Sequence, residues 1–404
     1  MVTGVRGLAV GGLATVALAA CGEEAAEIPF DSVSVDSTAP TTTADLGAAL
    51  PPPSTISAPV AVATEAPSSA PAASTPTTVA PATAWVEATG NLEGLESECG
   101  NLSFVWGSPD TDIVIAGVAL EGLWASIDGA EEWTRLGQGP GSAVITNRPS
   151  AIVDDREQPN TFYESGIYNG GGAYKTLDGG TTFQQLGDLT HSDLVSVDFS
   201  DPARATMLSG QHETSHLHRS TDGGATWTDV SAALPADIGY AAFPHVIDAQ
   251  THLLGTQRGT ASAVLRTTDG GATWAVVHEG GVNGPVFRAS DGNLYWLREG
   301  GGLIASADDG ATWSITSEGG GISPGASTLL ELPDGRLATH GEGSLLASSD
   351  QGVTWQPIGA PLPYTPNGIA YAAQRQAFYI WRWDCESEPN PVAADAIMRL
   401  DLEP

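Results

Sequence analysis

From residue 83 onward the chain alternates short apolar runs, six to eight residues long, with clusters of Gly, Asp and Pro. The neighbouring runs 195–199 and 206–210 show this pattern within one unit. Apolar runs of this length between turn-forming residues are typical of β-strands. The hydrophobic pattern therefore predicts one all-β domain over residues 83–404, preceded by a segment of different character.

One element within this region returns six times and reads Ser/Thr-x-Asp-x-Gly-x-Thr-Trp in its complete form. Its copies are centred on Asp128, Asp178, Asp222, Asp269, Asp308 and Asp350. The Asp carboxylate can accept hydrogen bonds from backbone N–H groups of its own turn, and the Gly two residues later can adopt a positive φ. Each copy therefore predicts a pinned hairpin whose Asp is structural rather than catalytic or metal-binding. The first copy has Ala130 in place of the Gly, and a looser turn is expected there.

The repeated element resembles the Asp box, also called the BNR repeat, of β-propellers in the superfamily of sialidases, photosystem II assembly factor-like proteins and sortilin. This resemblance implies a β-propeller. Successive Asp residues of the element lie 50, 44, 47, 39 and 42 positions apart, and each interval fits one four-stranded blade. Closing such a ring leaves only short, protected edges, which suits an all-β chain.

The number of blades depends on how the chain ends are used. Three strand-like runs follow the last repeat, at residues 368–373, 378–383 and 397–402, so the final blade lacks one strand. The segment Thr-Ala-Trp-Val-Glu at 83–87 resembles the strands that follow the hairpins. We therefore predict a single propeller of seven four-stranded blades, with the strand near Trp85 as the outer strand of the last blade. A six-bladed ring is the alternative if the C-terminal strands pack differently.

The first 20 residues are predicted to be a secretory signal peptide, because a lone Arg6 precedes an apolar stretch too short to span a bilayer. The stretch ends in Leu-Ala-Ala-Cys-Gly, which resembles the bacterial lipobox, and this resemblance implies lipidation of Cys21. Residues 21–82 are rich in Ala, Thr, Pro and Ser and predict a disordered tether. The expected location is extracytoplasmic, with a lipid anchor in the cell membrane.

The remaining two cysteines also fit an exported protein. Once Cys21 carries lipid, Cys99 and Cys385 are left, and an even pair in an oxidising compartment predicts a disulfide. The blade assignment places Cys99 just before the inner strand of the first blade and Cys385 between the second and third strands of the last. Both loops project from the same rim of adjacent blades, so the disulfide would hold the ring closed.

The chain is strongly acidic, with 48 Asp and Glu residues against 15 Lys and Arg residues and a formal charge of −33. Such a chain lacks the clustered basic face that nucleic-acid recognition needs, so DNA and RNA are excluded as partners. The acidity is typical of adaptation for solubility or high salt rather than of dedicated cation binding. We expect a monomer without a cofactor.

The Asp-box resemblance implies that ligands bind at the rim opposite the hairpins, where loops join strands two and three and one blade to the next. The candidates for this rim are His191, Asp193, His212, Glu213, His245, Arg258 and Arg298. Three His lie in the loop 211–218, so the candidate metal ligands are His212, His216 and His218. Other repeats have a large apolar residue in the place of His218, so packing is the preferred interpretation for it.

A glycoside hydrolase is one functional class that the resemblance suggests. Sialidases of this superfamily carry a Phe/Tyr-Arg-Ile-Pro segment, and the nearest match, Asn-Arg-Pro at 147–149, lacks the aromatic residue and the Ile. Carboxylate catalysis needs paired acids, for which Glu213 and Asp193 are the candidates, with Asp237 and Glu164 as further acids. Candidate platforms for sugar stacking are Trp296, Tyr168 and Trp381. Packing between blades is the preferred interpretation of Trp296.

A binding or scaffolding protein is the other class. The photosystem II assembly factor-like propellers and sortilin hold proteins or peptides. This chain combines a predicted lipid anchor, a long tether and a ring without identifiable catalytic machinery. We therefore predict a non-catalytic module that binds an envelope protein or a glycan. The alternative is a sialidase-like glycoside hydrolase that acts on extracellular glycans by a carboxylate mechanism.

Overall fold

The computed structural model of the chain describes residues 84–385 and 389–402. The predicted signal peptide, the lipidated Cys21 and the tether lie outside the described residues. Within these residues the fold is all-β, and the two helical elements are short 3₁₀ turns at Gly90–Leu92 and Ser231–Ala233. In this part of the chain no helix is long and apolar enough to cross a membrane.

The strands form seven four-stranded antiparallel sheets, each the blade of a propeller. The chain opens with β1 (Val86–Glu87) and continues into blade 1, β2 (Leu102–Gly107), β3 (Val114–Val118), β4 (Gly122–Ser126) and β5 (Thr134–Arg135). Blade 2 is β6 (Arg148–Asp154), β7 (Phe162–Ile167), β8 (Ala173–Thr176) and β9 (Gln184–Gln185). Blade 3 is β10 (Ser192–Val197), β11 (Met207–Gln211), β12 (Leu217–Ser220) and β13 (Thr228–Asp229).

The second half of the chain repeats this order of strands. Blade 4 is β14 (Tyr240–Val246), β15 (His252–Gln257), β16 (Ala263–Thr267) and β17 (Ala275–Glu279). Blade 5 is β18 (Val282–Arg288), β19 (Leu294–Arg298), β20 (Leu303–Ser306) and β21 (Ser314–Ser317). Blade 6 is β22 (Leu330–Glu331), β23 (Leu337–His340), β24 (Leu345–Ser348) and β25 (Gln356–Ile358). Blade 7 contains β26 (Gly368–Ala372), β27 (Ala377–Trp381) and β28 (Ile397–Asp401).

The ring closes by joining the two ends of the propeller in one sheet. β1 pairs with β28 in antiparallel register, with Val86 opposite Arg399 and Glu87 opposite Met398. Blade 7 thus receives its fourth strand from the N-terminal side, and Trp85 next to that strand packs into the same core and donates a hydrogen bond from Nε1 to the carbonyl of Ala360 (3.3 Å). Seven blades, and the closing strand near Trp85, are both confirmed.

A disulfide between Cys99 and Cys385 covers this closure, with the two Cα atoms 4.3 Å apart. It joins the segment before β2 to the loop between β27 and β28, as predicted. Asn101 ties the same two segments together, because its Nδ2 donates to the carbonyl of Pro391 (2.9 Å) while its Oδ1 accepts from the backbone N–H of Asp384 (3.2 Å). The junction between blades 1 and 7 is therefore held by covalent and hydrogen bonds.

The repeated hairpin turns lie between the third and fourth strands of blades 1 to 6. In the third turn, Asp222 accepts from the backbone N–H (2.9 Å) and the hydroxyl (2.6 Å) of Thr226, and these bonds lower the pKa of Asp222 to about 2. In the first turn, Ala130 takes a φ of 69° and donates its N–H to the Ser126 hydroxyl at 2.9 Å, the contact that Gly224 makes with Ser220. The turn at Ala130 therefore keeps the same shape, and the looser turn expected there is not found.

The core lies between neighbouring blades and surrounds a central cavity. Trp296, Tyr295, Tyr379 and Phe378 are among the largest fully buried side chains. Because the strands of a blade are antiparallel, the hairpin turns lie at one end of the ring together with the loops between first and second strands. We call this end the hairpin face. The turns between second and third strands and the connections between blades lie at the opposite end, which we call the rim.

Candidate functional site

The inner strands enclose a central cavity of about 1640 Å³ that is open at its mouths. Aromatic side chains line much of its wall, among them Trp106, Tyr240, Phe243, Phe287 and Trp383. At the rim the lining becomes polar and includes Asp193, His212, Glu213 and Arg258. Charged side chains, among them Asp154 and Glu331, also line the end at the hairpin face, and an aromatic wall beside polar groups is a common form of a ligand site.

Side chains from successive blades contact each other around the rim mouth. Tyr168, His212, Arg258 and Glu299 are each the first residue after the second strand of blades 2, 3, 4 and 5. The Tyr168 hydroxyl lies 3.2 Å from Nε2 of His212, Arg258 donates from Nη1 to Glu213 (3.3 Å), and Glu299 accepts the backbone N–H of Arg258 (3.2 Å). We call Tyr168, His212, Glu213, Arg258 and Glu299 the rim arc. It links four blades through polar contacts.

His212 is the most constrained member of the rim arc. Its Nδ1 lies 2.7 Å from Oδ1 of Asp193, and both side chains are 18% exposed. An ionised carboxylate only accepts hydrogen bonds, so Nδ1 carries the proton and, in the neutral imidazole, Nε2 accepts the Tyr168 hydroxyl. The ring of Tyr168 meets that of His212 edge-on, with centroids 5.3 Å apart. The three side chains form one continuous hydrogen-bonded chain.

The backbone at these turns is held in an uncommon conformation. Tyr168, Glu213 and Arg258 have φ values of 64°, 53° and 56°, in the left-handed region that residues with a Cβ rarely adopt. Holding such a φ costs about 1 kcal/mol or more per residue. Because the conformation recurs in three successive blades, the path of the turn between second and third strands imposes it. The surrounding ring therefore fixes these side chains at the mouth.

A half-buried cation lies behind the rim arc. The guanidinium carbon of Arg148 lies 5.5 Å from the centre of the Trp383 ring, and a Cβ on Gly100 would come within 2.3 Å of that carbon. Gly100, next to the disulfide, also has a φ of 76°, which residues with a Cβ rarely adopt. Burial lowers the pKa of Arg148, while the nearby acidic groups of Tyr168, Glu98 and Asp193 act in the opposite direction.

The three candidate metal ligands, His212, His216 and His218, make different contacts. His212 binds Asp193, and Nδ1 of His216 lies 2.8 Å from Oδ2 of Asp229. His218 is half-buried on β12, where burial lowers its pKa, and its ring stacks on that of His216 at 6.5 Å. In residues 84–385 and 389–402 no group of three or more His, Cys, Asp or Glu side chains could hold a metal ion.

Of the other candidates from the sequence, His245 lies away from the rim arc, whereas Arg298 and His191 lie beside it. His245 lies near the end of β14 towards the hairpin face, where burial and the nearby Arg288 lower its pKa to about 4. Arg298 pairs with Glu318 at 3.1 Å. His191 precedes β10 and reaches the rim, where its Nδ1 accepts the backbone N–H of Tyr168 at 3.3 Å.

The further acids and the aromatic candidates divide between surface and interior. Asp237 is exposed, whereas Glu164 is fully enclosed in blade 2, where burial raises its pKa well above the usual range. Trp296 is 0% exposed, and its Nε1 donates to the carbonyl of Gly284. Trp381 is 6% exposed, so of the three stacking candidates Tyr168, at 43%, is the one that faces solvent.

Sequence reasoning did not identify the roles of Arg148 and Glu299, and considered Tyr168 only as a stacking platform. A usable signal was present in the repeat itself. Aligning the blades on their second strands places Tyr168, His212, Arg258 and Glu299 at one structural position. Polar or aromatic side chains at one position in four successive blades indicate a ring of groups around one mouth.

The sequence matches no family model and no curated protein. Among solved structures, the chain is similar to the extracellular domain of BT3049 from B. thetaiotaomicron, with a TM-score of 0.55, 13% identity and coverage of 78% of this chain and 41% of that chain. It is also similar to YCF48 bound to D1 peptide, with a TM-score of 0.48, 16% identity and coverage of 77% and 95%.

A third similar structure is the GH74 xyloglucanase from Xanthomonas campestris, with a TM-score of 0.48, 18% identity and coverage of 75% of this chain and 52% of that chain. The chain thus spans about half the length of that enzyme. The similar propellers include a glycosidase, a protein with a bound peptide and an extracellular domain. At these identities the comparison shows the fold alone, a β-propeller.

Proposed function

We propose that this chain is a lipid-anchored, extracytoplasmic protein of the Asp-box type whose propeller binds an envelope protein or a glycan at the rim, without glycosidase chemistry. The observation that carries the proposal is the rim arc at the open mouth of the central cavity. A lipobox-like Cys21 and the tether at 21–82 would hold this mouth away from the membrane surface.

The chemistry of the rim suits recognition of an extended polar ligand. The rim arc offers a phenol, an imidazole, a guanidinium and two carboxylates within a surface that spans blades 2 to 5. Tyr168 adds an exposed aromatic face. Pre-organised polar groups beside an aromatic ring are suited to the amides of a peptide or the hydroxyls of a sugar.

A glycosidase would need a different arrangement of carboxyl groups. Such an enzyme uses a protonated carboxyl facing the sugar as general acid, with a second carboxylate across the scissile bond. Burial raises the pKa of Glu164, but this carboxyl is enclosed in blade 2 and does not face the cavity. The two candidate catalytic acids from the sequence, Asp193 and Glu213, are engaged by His212 and Arg258. These contacts favour a binding role.

The test uses the propeller alone, residues 83–404, because its ring closes through strands inside this range. It is screened against a glycan array and a library of envelope peptides. We expect a ligand whose affinity falls at least about tenfold in Arg258→Ala. Lys175→Ala, in the third strand of blade 2, is the matched control and should retain binding.

A second assay separates binding from catalysis. The same propeller is incubated with fluorogenic glycosides, including a sialoside, beside a Glu213→Gln variant. Turnover that the variant abolishes would overturn the proposal and assign a catalytic acid to blade 3. Equal ligand affinity in Arg258→Ala and Lys175→Ala would place the binding site elsewhere.

Fractionation of cells that express full-length Cys21→Ser tests the anchor, because the variant should leave the membrane fraction.

A further inference from the structure

The hydrogen-bonded chain Tyr168–His212–Asp193 has the arrangement of an activated nucleophile. A hydroxyl lies 3.2 Å from one ring nitrogen of a histidine, and a carboxylate lies 2.7 Å from the other. Nucleophilic catalysis requires these two contacts, one between nucleophile and base and one between base and orienting group. The three residues come from blades 2 and 3, at the turn after β7, the turn after β11 and the start of β10.

The positions of the protons follow from the chemistry of the three groups. Asp193 can only accept when ionised, so it fixes the His212 proton on Nδ1 and leaves a lone pair on Nε2. That lone pair faces the Tyr168 hydroxyl. A phenol ionises with a pKa of about 10, far closer to that of imidazole than an aliphatic hydroxyl. Proton transfer from Tyr168 to His212 is therefore less uphill than in a serine site.

We propose that Tyr168 is a nucleophile that His212 activates for acyl transfer from carboxylic esters presented at the rim mouth. This goes beyond the binding role proposed above and does not depend on it. Tyr168 is 43% exposed, and its hydroxyl contacts His212, which lines the cavity. The left-handed φ of Tyr168 and the hydrogen bond from its backbone N–H to His191 hold the backbone of Tyr168 in place.

The reaction runs in two halves. Oη of Tyr168 forms a bond to the ester carbonyl carbon as its proton passes to Nε2 of His212. The ester C–O bond then breaks, the alcohol leaves with that proton, and the acyl group remains on Tyr168. In the second half, water attacks the acyl carbon and gives its proton to His212, which returns it to the Tyr168 oxygen as the acid leaves. Ester and water are consumed, and acid and alcohol are formed.

Two features favour this chemistry over simple structural bonding. The acyl-tyrosine is an aryl ester with a good leaving group, so water can release it. Its formation requires a substrate ester whose alcohol leaves at least as readily as a phenol, as p-nitrophenol does. Arg148 is also close to Tyr168, and its positive guanidinium would stabilise a negative charge on the Tyr168 oxygen. The groups that face the site therefore support both the attack and the release.

The first test measures covalent labelling of the propeller by phenylmethylsulfonyl fluoride. The Tyr168 oxygen displaces fluoride and forms a bond to sulfur, and peptide mass spectrometry locates the adduct. We expect the adduct on Tyr168 in the wild type and its loss in His212→Gln. Tyr364→Phe, outside the cavity lining, is the control and should leave the Tyr168 adduct unchanged.

The second test measures hydrolysis of p-nitrophenyl acetate. We expect the rate to fall about 100-fold in Tyr168→Phe and in His212→Gln, and to stay unchanged in Tyr364→Phe. Thermal unfolding of each variant shows that the propeller is intact. An adduct spread over several tyrosines, or equal hydrolysis by Tyr168→Phe and wild type, would overturn the proposal. These readouts are independent of the ligand affinity of Arg258→Ala, so the two proposals can fail separately.

Discussion

Asp155 and Arg204 form a two-pronged ion pair between blades 2 and 3 at the hairpin face. Nε of Arg204 lies 2.8 Å from one carboxylate oxygen of Asp155 and Nη2 lies 2.9 Å from the other. The Arg204 side chain is 6% exposed and the Asp155 side chain is 0% exposed. Burial by itself would raise the pKa of Asp155, but the hydrogen bonds from Arg204 hold it below its usual value. The pair fastens the loop after β6 to the loop after β10.

Removing one partner of this pair should destabilise the propeller strongly. Arg204→Met leaves the Asp155 carboxylate buried without its cation, which costs about 3–5 kcal/mol. The combined variant Arg204→Met with Asp155→Leu removes both charges and should recover most of that loss. Urea unfolding measures the free energy of unfolding of the wild type, of Arg204→Met and of the combined variant. Arg336→Met, in the exposed pair with Asp334, is the control and should cost less than about 1 kcal/mol. Equal losses of unfolding free energy in Arg204→Met and Arg336→Met would contradict this expectation.

The disulfide at the closure should contribute much of the stability of the ring. Cys99 and Cys385 are 286 residues apart, and a loop of this length restricts the unfolded chain by about 5 kcal/mol in the chain-entropy description. We expect the double variant Cys99→Ser with Cys385→Ser to lower the Tm and the urea midpoint. Oxidised and reduced wild type provide the matched comparison. A Tm unaffected by reduction would show that β1 pairing alone closes the ring.

Buried histidines predict loss of stability in mild acid. His252 and His340 are 0% exposed, both nitrogens of each ring lack a hydrogen-bond partner within the described chain, and burial lowers each pKa from 6.5 to about 4. Between pH 6.5 and 4 the unfolded chain binds protons that the folded chain does not. Stability is therefore complete above pH 6.5 and falls as the pH drops, by about 3 kcal/mol for each histidine at most.

The variant His340→Leu isolates one of these contributions. It should make the fall of the unfolding free energy between pH 6.5 and 4 shallower by close to one bound proton. Urea unfolding at half-unit pH steps measures this slope. At pH 8 the linkage is absent, so the comparison there reports packing alone. An unchanged slope would show that His340 titrates in the folded chain as it does in the unfolded one.

The fold was predictable because its determinants are local in sequence. Each hairpin turn is built from atoms within a few residues, as in the bonds from Thr226 to Asp222, and the repeat interval then sets one blade. Ring closure followed from counting strands, and the pairing of Cys99 with Cys385 agreed with it. Local hydrogen bonding and chain connectivity thus determine the architecture.

The site was predictable only in part, because it depends on contacts between blades. His212 and Asp193 were candidates, but the chain from Asp193 through His212 to Tyr168 requires the relative placement of two sheets. The same limit applies to His245, which lies towards the hairpin face, and to Glu164, which the sequence grouped with rim acids. Glu164 is on β7 between Tyr163 and Ser165, and all three are buried.

Glu164 provides a second, opposite pH dependence. Burial raises its pKa well above 4.5, Nδ2 of Asn147 is a distant donor at 3.4 Å, and Oε1 has no hydrogen-bond partner among the described residues. Above pH 4.5 the unfolded chain releases this proton while the folded chain keeps it. The contribution of Glu164 is therefore complete below pH 4.5 and is lost as the pH rises towards its folded pKa.

Glu164→Gln keeps the shape of the side chain and removes its ionisation. We expect the variant to match the wild type near pH 4.5 and to become more stable than the wild type as the pH rises through 7 and 9. Urea unfolding at these three values measures the difference, and Glu213→Gln, with its half-exposed rim carboxylate, is the matched control. A gap between Glu164→Gln and wild type that stays constant with pH would mean that Glu164 is ionised inside blade 2. An ionised Glu164 carboxylate at this buried position would then need a partner group that stabilises its charge.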